Sequence, residues 1–380
     1  MSADRTFVTE LATGLGMLAD ASTLTEGDDV AALVAARPAP MANLTPDDWD
    51  RLEQLWRDGA HADDFAHGVA NGRAFLAAPD ALNGRPPRIV EWTGPRRPPG
   101  DEVVPADLRV DHVYLVSCKY LSKVLHNAAP QRLVDGLLAQ GPTEERGDWY
   151  AAVAPDEHHE LYRACTVALG GTWPEGADGL DADQRRALAT ALRGTWPDDA
   201  VEPYRQLCGA VATATARRWA ANVTPRTREA LLWRLLRIGS APYFVLGASP
   251  DGPVRLRIDT PWDWRQRYAL RGFEVEAQPG GQPRVAWRGR YRVLATGEER
   301  VVEGHVELRW SHGRFSGPPE AKVYLDTPHH EVPGYHPLDP EGTDVVPTTA
   351  PTVTTAGAGG TEATAGPEPH DPDAPLTLFP

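Results

Sequence analysis

Through residues 1–80 the apolar positions recur at helical spacing, and Thr45-Pro46-Asp47-Asp48 marks one helix start: a hydroxyl N-cap, proline at the first turn and early acids. Trp49, Leu52, Leu55 and Trp56 then share one helical face. Asn83-Gly84-Arg85-Pro86-Pro87 breaks this pattern, and residues 88–92 predict a short strand closed by Thr93-Gly94-Pro95. A proline-rich loop over 95–105 leads to residues 111–120, an apolar, β-branched and aromatic run of strand length that feeds a helix predicted over 122–126. Helical patterns fill 130–240, ending in the run Leu231-Leu232-Trp233-Arg234-Leu235-Leu236. Beyond Gly239 the period shortens to two, which predicts strands over 242–247, 254–258, 272–276, 284–294, 301–310 and 321–325, with hairpin turns at Thr296-Gly297 and His312-Gly313. After Gly334 the chain is rich in Pro, Thr, Gly and Ala and poor in large apolar residues, so its ordering entropy has nothing to offset it.

These elements give an α/β (α+β) protein in four parts: an N-terminal helical region over 1–82, an α/β core with a helical scaffold over 83–240, an antiparallel β-rich domain over 241–333, and a disordered acidic tail over 334–380. A chain of 380 residues buries enough surface for two domains without metal or disulfide staples. Its three cysteines, Cys118, Cys165 and Cys208, are odd in number and include no CxxC pair, which points to a reducing compartment. No leader-like start and no apolar run near the ~18 residues of a membrane span occur. The expected location is cytoplasmic, with no membrane partner.

Charge changes this picture only locally. The net charge is −15, but residues 331–380 carry eight acids and no lysine or arginine, so about −7 remains on the rest and a nucleic-acid partner stays open. Of 38 basic residues only Lys119, Lys123 and Lys322 are lysine. In a chain that otherwise uses arginine, three retained ammonium groups mark places where a compact charge of tunable pKa has a use.

Two of them lie at the end of the apolar strand. Asp107 precedes Lys119 by twelve residues, a spacing that suits a tight hairpin, and period-two geometry aims Ser117 and Lys119 to one face beside the acid, at a sheet edge. Pro105-Ala106-Asp107 followed by Ser117-Cys118-Lys119 resembles the PD-(D/E)xK nuclease superfamily, over residues 85–140. The resemblance implies a restriction-endonuclease-like core in which Asp107 and a second acid bind Mg²⁺, or Mn²⁺ in its place, while Lys119 positions or deprotonates the attacking water. It also implies an acid on an earlier helix or strand, for which Glu91 is the candidate. Ser117 stands where the family carries Asp or Glu, so Asp111 or Glu91 would have to supply the missing ligand. The metal set is therefore Asp107, Glu91 and Asp111, and the catalytic set adds Ser117 and Lys119. Downstream, Ser122 and Lys123 near a helix start could receive a phosphate oxygen of bound nucleic acid.

The implied activity is Mg²⁺-dependent hydrolysis of DNA phosphodiester bonds, as in restriction or phage defence, with DNA, a second copy of the chain or other defence-system proteins as partners. The alternative is a non-catalytic protein whose degenerate nuclease-like core binds nucleic acid or a partner. A second lysine strand, Glu320-Ala321-Lys322 with Glu307 on the strand before it, offers a rival site, or a cross-strand ion pair. His158-His159 with Cys165 is a poor zinc set, because adjacent histidines on a helix splay apart. Trp262, Trp264, Trp310 and Phe315 beside arginines suit either a nucleic-acid surface or a half-buried β-domain. No Walker A, dinucleotide-binding glycine fingerprint or GxSxG elbow occurs.

Overall fold

In a computed structural model of the chain, residues 3–18, 28–94, 106–120, 125–135, 147–239, 241–249 and 252–338 are described. The first half contains α1 (Ala3–Leu18), α2 (Asp28–Ala36), β1 (Met41–Ala42), α3 (Pro46–Arg57), α4 (Ala62–Ala77), β2 (Val90–Trp92), β3 (Leu108–Val110), β4 (Tyr114–Tyr120) and β5 (His126–Ala128). Helices α5 (Pro130–Val134), α6 (Trp149–Val153), α7 (Pro155–Leu169), α8 (Ala182–Ala191), α9 (Asp198–Asn222) and α10 (Arg228–Leu235) follow. The last part holds β6 (Tyr243–Ser249), β7 (Gly252–Ile258), α11 (Pro261–Arg267), β8 (Tyr268–Pro279), β9 (Pro283–Val293), β10 (Glu299–Arg309), β11 (Glu320–Leu325) and β12 (Tyr335–Pro337). The protein is thus mixed α+β, and among the described residues no helix is long and apolar enough to cross a membrane.

Two sheets organise these elements. The first runs β1-β2-β3-β4-β6-β7-β12 and is mixed: β1 pairs parallel with β2, and β4 parallel with β6, while the rest are antiparallel. A parallel pair needs a long crossover, and here it contains β5 and helices α5 to α10. The second sheet, β5-β11-β10-β9-β8, is antiparallel throughout.

Each sheet has its own core. Phe7, Leu11 and Leu15 of α1 and Phe65, Val69 and Phe75 of α4 cover Val90, Val110, Val116, Phe244 and Leu246 of the first sheet. The α1–α4 pair packs unusually close because a Cβ on Gly72 would lie 2.1 Å from the Thr13 carbonyl oxygen, a contact only glycine permits. Helices α7 and α9 lay Leu161, Tyr162, Leu207 and Trp219 against Trp287, Tyr291 and Val306 of the second sheet. The capping box at Thr45 forms as its sequence predicts, and Trp49 and Leu52 of that helix are buried.

Four expectations change. The described part of residues 1–82 is built onto the first sheet rather than standing as a separate helical region: α1 and α4 cover it and β1 is one of its strands. The strands of 241–333 divide, β6 and β7 joining the first sheet and only β8 to β11 the second. His126, expected to end a helix over 122–126, instead begins β5, which pairs with β11 while the Leu125 amide reaches the Val323 carbonyl; residues 121–124 lie outside the described residues. Residues 335–338, expected to belong to a disordered tail from 334, are part of the fold: Tyr335 and Leu338 are buried, β12 pairs with β7, and the Tyr335 hydroxyl donates to the Leu236 carbonyl. Residues 339–380 lie outside the described residues.

Candidate active site

The β3–β4 hairpin pairs Leu108 with Val116, which brings Asp107, one residue ahead of β3, beside Ser117 and Cys118. Its Oδ2 accepts the Cys118 backbone N–H at 2.6 Å and the Ser117 hydroxyl at 3.1 Å. Thr93 Oγ1 donates to the carbonyls of Ala106 and Asp107, at 2.7 and 3.1 Å, holding the approach to β3 from the other side. The carboxylate therefore substitutes for a ladder acceptor at the end of the hairpin.

Along β4, Val116 and Cys118 turn toward the α1–α4 layer, which places Ser117 and Lys119 on the opposite face. Ser117 is buried. The expected sheet edge is absent, because β4 lies inside the sheet between β3 and β6. Lys119 pairs with Gly247, where a Cβ would come within 1.7 Å of the Lys119 carbonyl oxygen. Asn71 of α4 fixes this point, donating to the Gly247 carbonyl and accepting from Arg255, both at 2.9 Å.

A residue that sequence reasoning passed over completes the corner. Burial raises the Cys118 thiol pKa well above its ordinary value, the negative charges of Asp107 and Glu10 add to the rise, and a Thr13 hydrogen bond and Lys119 oppose it. Glu10 of α1 accepts the Trp92 indole N–H at 2.7 Å. Glu10 thus stands on the α1 side of the sheet, the side of Cys118, while Ser117 and Lys119 lie on the other.

Glu91 and Asp111 are placed elsewhere. Asp111 and His112 form the β3–β4 turn with φ of 51° and 60°. Asp111 accepts the Arg88 and Ile89 amides at 2.7 and 3.2 Å and pairs with Arg85 at 2.7 Å. Burial works to raise its pKa, but the Arg85 contact and the two amides outweigh it and hold the carboxyl below its ordinary value. Lys119 lies five residues beyond the start of β4, so the turn is about 17 Å away at ~3.3 Å per residue. Glu91 sits opposite Arg109, level with Leu115, and contacts His112 Nδ1 at 2.8 Å; it is about 13 Å short of Lys119 along the sheet by the same measure. The hairpin unites Asp107 and Ser117 and sets Lys119 on the Ser117 face, but it does not bring Glu91 or Asp111 to them. Ser122 and Lys123 lie outside the described residues.

Among the described residues, no group of three or more His, Cys, Asp or Glu side chains is placed to hold a metal ion. Mg²⁺ itself takes one or two protein carboxylates with water and substrate phosphate. Asp107 can offer an ion Oδ1 without losing the two bonds on Oδ2.

The rival lysine strand is spoken for differently. Lys322 pairs with Glu307 and Glu320 with Arg309 across β10 and β11. Glu307 is also 3.4 Å from Arg284, and burial together with the Glu307 charge pushes the Tyr324 phenol up to about 12. His158 is buried against Phe315, with ring centroids 5.4 Å apart, whereas His159 is exposed.

Beside the Asp107 corner opens a cleft of about 1120 Å³ between α1, the segment after β1 and the end of β2, with Glu10, Arg51, Trp92 and Thr93 in its walls. Compared with known proteins, the chain matches no protein-family model, no curated protein and no solved structure.

Proposed function

We propose that this chain is a Mg²⁺- or Mn²⁺-dependent DNA endonuclease with a restriction-endonuclease-like core, its centre at the end of β4. One observation carries the reading: the Asp107 carboxylate is fixed at the end of β4 by the Ser117 hydroxyl and the Cys118 amide, with Lys119 on the Ser117 face of the same strand. Asp107 would hold the ion, with water and substrate phosphate completing its shell, and the ion when bound would supply Lewis-acid polarisation of the scissile phosphate. Lys119 orients the attacking water as a point donor and keeps a positive charge beside the phosphate. Asp107 also holds Ser117 and the Cys118 amide, so the carboxylate and the strand bearing the lysine are fixed to one another before substrate arrives. Cleavage of foreign DNA in the cytoplasm, as in restriction or phage defence, is the role this activity suits, alone, as a pair of chains or with other defence proteins.

A second reading has its own support. Ser117 offers a hydroxyl, already donated to Asp107, where the resemblance calls for an acid, which suits a core that binds DNA or a protein partner without cutting. Incubation of supercoiled plasmid with purified protein and Mg²⁺, Mn²⁺ or EDTA separates the two. Nicking that needs the metal and disappears in Lys119→Ala supports the enzyme; retarded plasmid that stays intact with every ion supports the binder.

A further inference from the structure

The cleft beside Asp107 has a chemistry of its own. It opens because β1 ends after two residues, and Asn43, at φ 67°, turns the chain away while its side-chain amide donates to the Trp92 carbonyl at 3.2 Å. We infer that this cleft receives a single unstacked nucleobase of a DNA strand, an inference that rests on the nuclease reading for what lies next door.

Position supports it first. Thr93 belongs both to the cleft wall and, through its hydroxyl bond to the Asp107 carbonyl, to the Asp107 corner, so a nucleotide flanking a phosphate at that corner has the cleft as its neighbour. Charge then decides which part of the nucleotide enters. The walls carry three acids, Glu10, Asp48 and Glu91, against two bases, Arg51 and Arg109. Arg51 is further committed, to Asp4 at 2.6 Å and to the Phe7 ring at 4.4 Å. A phosphodiester backbone requires a net basic wall, whereas a neutral base presents ring N–H and amino donors that carboxylates accept. Below these groups Phe7 and Trp92 meet edge to face at 5.5 Å. The Trp92 N–H is already bonded to Glu10, so what the largely buried Phe7–Trp92 pair offers the cleft is apolar ring contact and no donor.

Two consequences follow for substrate. A base enters only from outside a duplex, so single-stranded or mismatched DNA is preferred. Bases with an exocyclic amino group, adenine among them, bind better than thymine, whose base offers a single ring N–H.

The test uses the full chain in EDTA. A short labelled oligo-deoxyadenylate and an abasic strand of equal length are compared by fluorescence anisotropy, and adenosine and thymidine by thermal shift. We expect the adenylate to bind about tenfold more tightly, adenosine to raise the melting temperature more than thymidine, and Thr6→Trp, from an exposed position on the cleft rim, to remove both differences. Ala3→Trp repeats the block if Thr6→Trp does not fold. Equal binding of adenylate and abasic strands with no adenosine shift overturns the inference, even if plasmid is cut. An adenosine shift lost in the blocked variant, in protein that never cuts plasmid, upholds the cleft and removes the nuclease reading instead.

Discussion

Asp107→Ala removes the acceptor that holds the end of the β3–β4 hairpin. Two donors lose their partner, the Cys118 amide and the hydroxyl of buried Ser117. A hydrogen bond to a charged group contributes ~1.5–3 kcal/mol, and the site is half-buried, so water can recover part of the loss. We expect a net destabilisation on the order of 2–4 kcal/mol, or a fall in melting temperature of roughly 4–10 °C. Asp107→Asn keeps an oxygen acceptor of the same shape and should cost about 1 kcal/mol. Both variants lose the negative charge that would hold the metal, so metal-dependent cleavage should fall in both by a similar, large factor. Urea titration followed by tryptophan fluorescence, run beside the plasmid assay, separates the effects. If Asp107→Ala unfolds at the wild-type urea concentration, the carboxylate does not secure the hairpin. If Asp107→Asn cuts at the wild-type rate, Asp107 is not a metal ligand and the proposed centre is misplaced.

Lys119→Ala should reduce cleavage on the order of 10²-fold or more with an unchanged melting temperature, and Lys119→Arg nearly as far, because a guanidinium is bulky and does not deprotonate; wild-type rates in both would remove Lys119 from the chemistry. Ending the chain after Leu338 should leave the melting temperature unchanged, whereas ending it after Val332 removes β12 and the buried Tyr335 and Leu338 and should lower it by several degrees; equal melting of the two would show that β12 contributes nothing. Because burial and the Asp107 and Glu10 charges raise the Cys118 pKa, little thiolate exists at neutral pH and its alkylation should still be climbing with pH above the ordinary thiol range. Glu10→Gln removes one of those charges, lowers the pKa and should speed alkylation of the Cys118 peptide at pH 8 in a mass-spectrometric time course; an unchanged rate would show that Glu10 does not reach this corner.

The features legible in the sequence were those that depend on near neighbours. Period-two alternation located β6 to β11 to within a few residues at most ends, and Gly297 takes the positive φ that its turn position predicts. Thr45 and Asp48 form their capping box because both partners lie within one helical turn. What the sequence concealed was pairing at a distance. Nothing in residues 243–258 says that they join β4 rather than β8, since either neighbour buries the same alternating face. Asp111 and Glu91 have the residue type of metal ligands, but Asp111 is used within a turn by the amides of Arg88 and Ile89, and Glu91 by His112. Glu10 was invisible as a site residue for the complementary reason: its neighbours Trp92 and Cys118 lie 82 and 108 positions away.

The interleaving of the two sheets has a consequence for how the chain emerges during synthesis. The strand carrying Lys119 is complete when residue 120 is made, yet its neighbour β6 begins at Tyr243. At ~5–20 residues per second, β4 waits roughly 6–25 s with one side of its ladder unpaired. An open, apolar strand edge is where nascent chains associate with the wrong partner. Of the helices made in that interval, α9 packs on β8 and β9 and α10 on β8, strands that also arrive late. Until residue 243 has been made, the Asp107 corner has β1 to β4 and their helices but lacks β6 beside Lys119, so a ribosome stalled before that point should carry a centre open on one side.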